Sequence, residues 1–164
     1  MKRNIFVAAL LLFFVGCTQQ QSEQLTQQQK DQIAKEVKAI CDSIIARWER
    51  LDVDGCLQYY SPDLVVVADS LRLDFETYRK SWIAEVPTLS ATKWTTIRED
   101  IIVITSDLAV GTGVWKSEDF LKSGDKITYN PAAYTLIFKK VTGHWKVFYS
   151  HASGIPVTQK AGKK

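Results

Sequence analysis

A chain of 164 residues suffices for one domain with a sizeable core. Its three cysteines and two histidines carry none of the spacing of a zinc site. The net charge of +3 comes from the chain ends: without Lys2, Arg3, Lys160, Lys163 and Lys164, sixteen basic residues face eighteen acidic ones, which gives no electrostatic footprint for nucleic acid.

The chain opens with a short positive segment, Met1-Lys2-Arg3-Asn4, and an apolar run from Ile5 to Val15. Such a run is too short to span a bilayer, which takes ~20 helical residues. It ends in Phe14-Val15-Gly16-Cys17. This stretch resembles the lipobox of bacterial lipoproteins, with residues 1–16 as signal peptide and Cys17 as the lipidated residue. The resemblance implies cleavage just before Cys17, acylation of the thiol by a palmitate-type chain, and acylation of the new N-terminus. Several acyl chains anchor stably where one binds only marginally. The expected location is therefore the cell envelope of a bacterium, tethered to a membrane and facing the periplasm or the outside. The alternative is a plain secretory signal. Residues 17–30 are Gln-rich, with almost nothing apolar to bury, and read as a tether.

From Asp31 the pattern is helical. Ile33, Val37, Ile40, Cys41, Ile44, Trp48 and Leu51 recur at three- and four-residue spacing, which puts them on one face. Asp52-Val53-Asp54-Gly55 ends this helix, and a short second helix over 55–60 stops before Ser61-Pro62. Leu64 to Ala68 is a compact strand, Asp69-Ser70 a turn, and Phe75 to Val86 a third helix ending at Pro87. Strands follow over 94–105, 108–117, 127–140 and 145–153. Asn130-Pro131 marks a bulge or an edge in the third of these. Gly111 and Gly113 share one parity and mark a bend or the close approach of another element. Residues 157–164 form a disordered Lys-rich tail, with weak contact to anionic surfaces as the lesser alternative. Cys41 and Cys56 fall in helical segments and are expected as two buried thiols rather than a bridge. Helices first and a meander afterwards make an α+β fold.

Four stretches then carry a family resemblance. They are Trp48-Glu49-Arg50-Leu51-Asp52-Val53-Asp54; Tyr59-Tyr60-Ser61-Pro62-Asp63-Leu64-Val65-Val66; Asp107-Leu108-Ala109-Val110-Gly111-Thr112-Gly113; and Thr135-Leu136-Ile137-Phe138-Lys139-Lys140 with Gly143-His144-Trp145-Lys146-Val147 and His151-Ala152-Ser153. In this order, over residues 31–156, they resemble the NTF2-like superfamily in its SnoaL-like, or DUF4440-type, branch. The resemblance implies a cone: a curved antiparallel sheet of about four to six strands around a long N-terminal helix plus two shorter helices. An apolar pocket would open at the wide end. It implies no particular chemistry, since the superfamily holds isomerases, dehydratases, binding proteins and oligomerisation modules.

Aromatic residues are abundant for a small domain. Trp48 and Trp145 read as core. Tyr60, Trp82, Trp94, Trp115 and Tyr134 read as the wall of a ligand pocket. His151 shares strand parity with Trp145, Val147 and Tyr149 and so is expected inward, in the pocket. There it could act as a general base oriented by Asp69, the arrangement that several enzymes of this fold imply. A structural histidine finishing the sheet is the plainer reading. His144, in a turn, is expected in solvent. No G-x-S-x-G, phosphate-binding loop or EF-hand spacing is present, so no metal or cofactor is expected. The leading expectation is a membrane-tethered domain that binds a small apolar or aromatic ligand without catalysis. The competing readings are an isomerase or dehydratase using Asp69 and His151, and an interaction module forming a homodimer through the outer face of the sheet.

Overall fold

The computed structural model describes residues 24–68 and 70–162; residues 1–23, with Cys17, as well as Asp69 and the last two residues of the expected tail, Lys163 and Lys164, lie outside the described residues. Helix α1 (Gln27–Trp48) begins four residues before the expected Asp31. A capping box sets this start. The Gln29 N–H donates to Thr26 Oγ1 at 3.3 Å, and the Thr26 N–H donates to Gln29 Oε1 at 2.8 Å. Two otherwise orphaned donors are thereby satisfied, so residues 27–30, read as tether, are the first helical turn. Ile33, Val37, Cys41 and Ile44 form its buried stripe, as their spacing requires.

Leu51, with φ of 60°, reverses the chain after α1. Asp52 caps α2 (Val53–Leu57) by accepting from the Gly55 N–H at 2.9 Å, and it also holds the Arg47 guanidinium at 2.7 Å. The second helix thus sits earlier than the expected 55–60, because Asp52 supplies the cap and Tyr60 already belongs to a strand. Strand β1 (Tyr60–Ala68) is followed by β2 (Leu71–Asp74), a stretch between the expected turn at Asp69-Ser70 and the expected helix from Phe75 to which the sequence reading assigns no element. Its four residues are too few for alternation to stand out. Helix α3 (Phe75–Glu85) is capped by Asp74, which accepts from the Thr77 N–H at 2.8 Å, and a 3-10 turn at Val86–Thr88 carries Pro87.

Four long strands complete the chain: β3 (Leu89–Val103), β4 (Leu108–Leu121), β5 (Lys126–Val141) and β6 (His144–Gln159). The sheet has six strands in the order β2-β1-β6-β5-β4-β3. Strands β3 to β6 form the expected antiparallel meander. Strand β1 joins β6 in parallel, which departs from an all-antiparallel sheet. Pro131 lies in β5, an interior strand, and the register shifts there between Tyr129 and Ala132, so the break is a bulge and not an edge. Strand β6 also runs past the expected end at Ser153. Val157, Thr158 and Gln159, read as tail, pair with Thr128, Ile127 and Lys126. Lys160 and the Ala161 N–H reach the Asp125 carboxylate at 3.0 and 2.8 Å.

The core lies between α1 and the concave face of the sheet. Val37 meets a layer containing Leu64, Val66, Ala109, Phe138, Trp145 and Val147. Trp145 is buried and donates its indole N–H to Glu36 Oε2 at 3.0 Å. Cys41 and Cys56 are free and buried; burial pushes both thiols up, Cys56 to about 12. Gly113 stands opposite Tyr134 on β5, where a Cβ would fall 2.4 Å from the ring. The glycine permits a close approach that no other residue allows. No helix among the described residues is long and apolar enough to cross a membrane.

Candidate functional site

Two strand details decide which side chains face the interior. Strand β4 keeps one parity throughout: Ala109, Gly111, Trp115, Ser117 and Asp119 are all buried. Strand β6 does not. Phe138 pairs with Val147, but Ile137 pairs with Tyr149, so Phe148 is an extra residue. A bulge of one residue exchanges the two faces beyond it. Trp145 and Val147 point inward before it; Ser150, Ala152 and Gly154 line the interior after it.

That exchange corrects the reading of His151. It pairs with Val67 and Thr135, in the row next to Val66, Ser150 and Leu136, and adjacent rows face opposite sides. Ser150 and Leu136 line the cavity; His151 does not. A His151 base working inside the pocket is therefore not assembled. Its expected partner Asp69 lies outside the described residues. His144 is exposed.

The cavity measures about 290 Å³. That is at the small end for ligand sites, which run from roughly 300 to 1,000 Å³. Tyr60, Trp82, Trp94, Trp115 and Tyr134 all line it, and so does Trp48, which was read as core. The rings form two groups. Trp82 lies 4.7 Å from both Trp48 and Tyr78, and Tyr60 meets Trp82 edge-on at 6.0 Å. Across the sheet, Trp94 and Trp115 stack at 3.9 Å with planes 13° apart, and Tyr129 tilts against Trp115 at 5.5 Å. The indole nitrogens of Trp94 and Trp115 are buried and have no hydrogen-bond partner among the described residues. Tyr134 donates its hydroxyl to Glu99 Oε1 at 2.6 Å; the other oxygen of Glu99 pairs with Lys38 at 3.2 Å.

Two carboxyl groups also line this cavity, and sequence reasoning missed both. Asp119 is buried and accepts from Thr92 Oγ1 at 2.6 Å. Burial raises its carboxyl above the usual range, and the Thr92 bond opposes this in part. Glu85, at the C-terminal end of α3, is exposed as a residue yet contributes to the wall. Loss of water around its carboxyl raises it first, and the charge of Asp119 adds to the effect. The phenols of Tyr60, Tyr78 and Tyr134 are all pushed up by burial, so they stay neutral donors. Asp119 was legible in principle, since it continues the odd-numbered parity of β4 two residues past the expected strand end at Ser117. Glu85 follows Trp82 by three residues, one helical turn. Chemically, the site can hold an apolar ring and hold or move a proton at either carboxyl. Among the described residues no group of three or more histidine, cysteine or acidic side chains is placed to bind a metal ion.

A curved sheet of this order around α1, with a cavity between them, defines the NTF2-like fold. The structure is similar to an NTF2-like superfamily protein from Salmonella enterica, with a TM-score of 0.68 and 13% identity, covering 82% of this chain and 96% of that one. It is similar to a protein from Novosphingobium aromaticivorans assigned as a scytalone dehydratase (TM-score 0.74, 11% identity, 85% and 94% covered). It also resembles a hexachlorocyclohexane dehydrochlorinase (TM-score 0.70, 12% identity, 84% and 95% covered). Within that fold, the family model of the SnoaL-like domain matches residues 37–158, and the chain belongs to that family. No curated protein matches the sequence.

Proposed function

We propose that this is a binding protein of the bacterial cell envelope, lipidated at Cys17, whose cavity takes a small apolar or aromatic molecule without catalysis. The observation that carries the binding part is the cavity itself: about 290 Å³, walled by rings, with few polar groups among them. Such a composition suits flat apolar ligands fixed by one or two hydrogen bonds. The unpartnered indole N–H groups of Trp94 and Trp115 would suit an acceptor on that ligand. The membrane tether rests on the sequence of residues 1–17 alone. Native mass spectrometry of the chain purified from its own host tests the reading. A retained small molecule is expected; a chain that carries none, and whose tryptophan fluorescence is unmoved by any small aromatic compound, would remove it.

A second reading is favoured by the raised carboxyls. Asp119 or Glu85 would exchange a proton with the bound molecule, in an isomerase or dehydratase reaction, with neither Asp69 nor His151 involved. The dehydratase and dehydrochlorinase names among the similar structures agree in reaction type. Solvent-deuterium incorporation into a bound ligand, lost in Asp119→Asn and Glu85→Gln, would establish it. A third reading, a homodimer, draws on the outer face, where Val65, Tyr149, Ile137, Val110 and Ile102 form one cross-strand row. Ile102 is 52% exposed there. Sedimentation of the wild type and of Ile102→Glu tests it: a dimer that the substitution dissociates is expected, and a monomer at high concentration refutes it.

A further inference from the structure

We infer that the ligand is an organic ammonium cation on a small apolar or aromatic frame, because ring faces and two carboxyl groups line the cavity while, among the described residues, no lysine, arginine or histidine does. The inference rests on the ligand-binding reading above and adds the charge of what is bound.

Each aromatic group brings one acid. Glu85 sits one helical turn beyond Trp82 on α3. Asp119 lies four residues beyond Trp115 on β4, hence on the same strand face. Glu85 senses Asp119, whose charge adds to the loss of water in raising the Glu85 carboxyl. Neither forms an ion pair with any described residue. Asp119 is buried, and a buried carboxylate without a counter-charge is costly unless protonated or paired; Glu85 is exposed as a residue, and its carboxyl loses water where it joins the wall. An entering cation supplies the counter-charge.

The rings act in the same direction. An aromatic face carries the negative side of a quadrupole and attracts a cation within about 6 Å of the centroid, most strongly when water is excluded and the ring is tryptophan. Four tryptophans line this cavity, and no basic side chain of the described residues occupies their faces there. The three cation–ring contacts of the described residues, at Phe120, Phe148 and Trp145, involve rings that do not line it. A neutral ligand would gain the apolar contacts and leave both acids unanswered. An anion would meet two like charges and no basic side chain, with only the indole N–H groups of Trp94 and Trp115 to donate to it.

Three probes of matched shape separate these cases: benzyltrimethylammonium, its neutral isostere neopentylbenzene, and phenylacetate. Binding to the purified full chain at pH 8 is followed by tryptophan fluorescence and calorimetry. The cation should bind at least tenfold tighter than the neutral isostere, with phenylacetate weakest. Glu85→Gln and Asp119→Asn should each erode that preference, and the double variant should reduce it to about twofold. Equal or tighter binding of neopentylbenzene, or tightest binding of phenylacetate, overturns the cation and leaves a binding cavity. Failure of all three to bind overturns the cavity reading as well. The wild-type ranking decides the matter even where a variant fails to fold. An alkylated ammonium could come from a free solute or from a lipid headgroup. Competition by free choline alone, or also by phosphatidylcholine vesicles, assigns the source, and either result supports the cation.

Discussion

Asp119 keeps its carboxyl among rings with one hydrogen bond, from Thr92. The folded chain therefore binds the Asp119 proton more tightly than the unfolded chain does. The stability this provides is fully present below the ordinary carboxylate pKa. It is lost as pH rises from there through the raised value. Asp119→Asn keeps an oxygen for Thr92 and removes the charge. Its melting temperature should equal that of the wild type near pH 4 and exceed it by a widening margin toward pH 8, each 1 kcal/mol reading as roughly 2–4 °C. Glu36, Asp52, Asp74, Glu118 and Asp125 are lowered, chiefly by hydrogen bonds, and act in the opposite sense. The difference between the two proteins cancels these common contributions and leaves Asp119 together with its effect on Glu85. A margin that stays constant with pH would show an Asp119 that titrates as in water. The two thiols allow a simpler check. Alkylating reagents attack thiolates, and burial suppresses that form at Cys41 and Cys56. Iodoacetamide at pH 8 should leave the peptides containing both unmodified in the folded protein and modify both in guanidinium. Labelling of either at its denatured rate would contradict the burial.

Whole elements were legible where a single period runs unbroken. The stripe Ile33, Val37, Cys41, Ile44 announces α1, and the odd-numbered residues of β4 announce its buried face. The sheet face of β6 was not legible, because the extra residue at Phe148 has no chemical signature. Phe148 is a β-favouring residue in a run of them, so parity counted from Trp145 carries straight through the bulge and delivers His151 to the wrong side. The candidate site suffered in proportion. Its aromatic wall follows from residue type and strand assignment, and five rings expected there line the cavity. Asp119 was hidden by the end of β4, since ends are set by caps and pairing partners rather than by periodicity, whereas Glu85 fell inside the expected third helix, one turn beyond Trp82. The start of α1 shows the same dependence on a local device. Thr26→Ala removes the hydroxyl that accepts from the Gln29 N–H. It should cost about 1 kcal/mol in denaturant unfolding and fray the first turn, seen as faster amide exchange over residues 27–30. Unchanged exchange there would mean that packing, not the cap, fixes the helix start.

At the scale of the whole molecule, the cavity and the proposed anchor belong to different parts of the chain, so they can be tested apart. Every described residue that lines the cavity falls between Cys41 and Gly154. Cys17 lies ten residues before Gln27, where α1 begins. If Cys17 is the acylated residue, Cys17→Ser should leave probe binding and melting temperature unchanged while altering the N-terminus. Membrane association alone is a poor readout, because an uncleaved apolar run from Ile5 to Val15 would itself hold the chain at a membrane. Mass is the better one. The wild type from a bacterial host should lack residues 1–16, carry fatty acyl groups and take up an alkyne analogue of palmitate. The Cys17→Ser chain should keep residues 1–16 and take up none. Cleavage in both without acylation would reduce the segment to an ordinary secretory signal, and residues 1–16 kept in both would remove processing at Cys17 altogether; either leaves the cavity as the whole of the function.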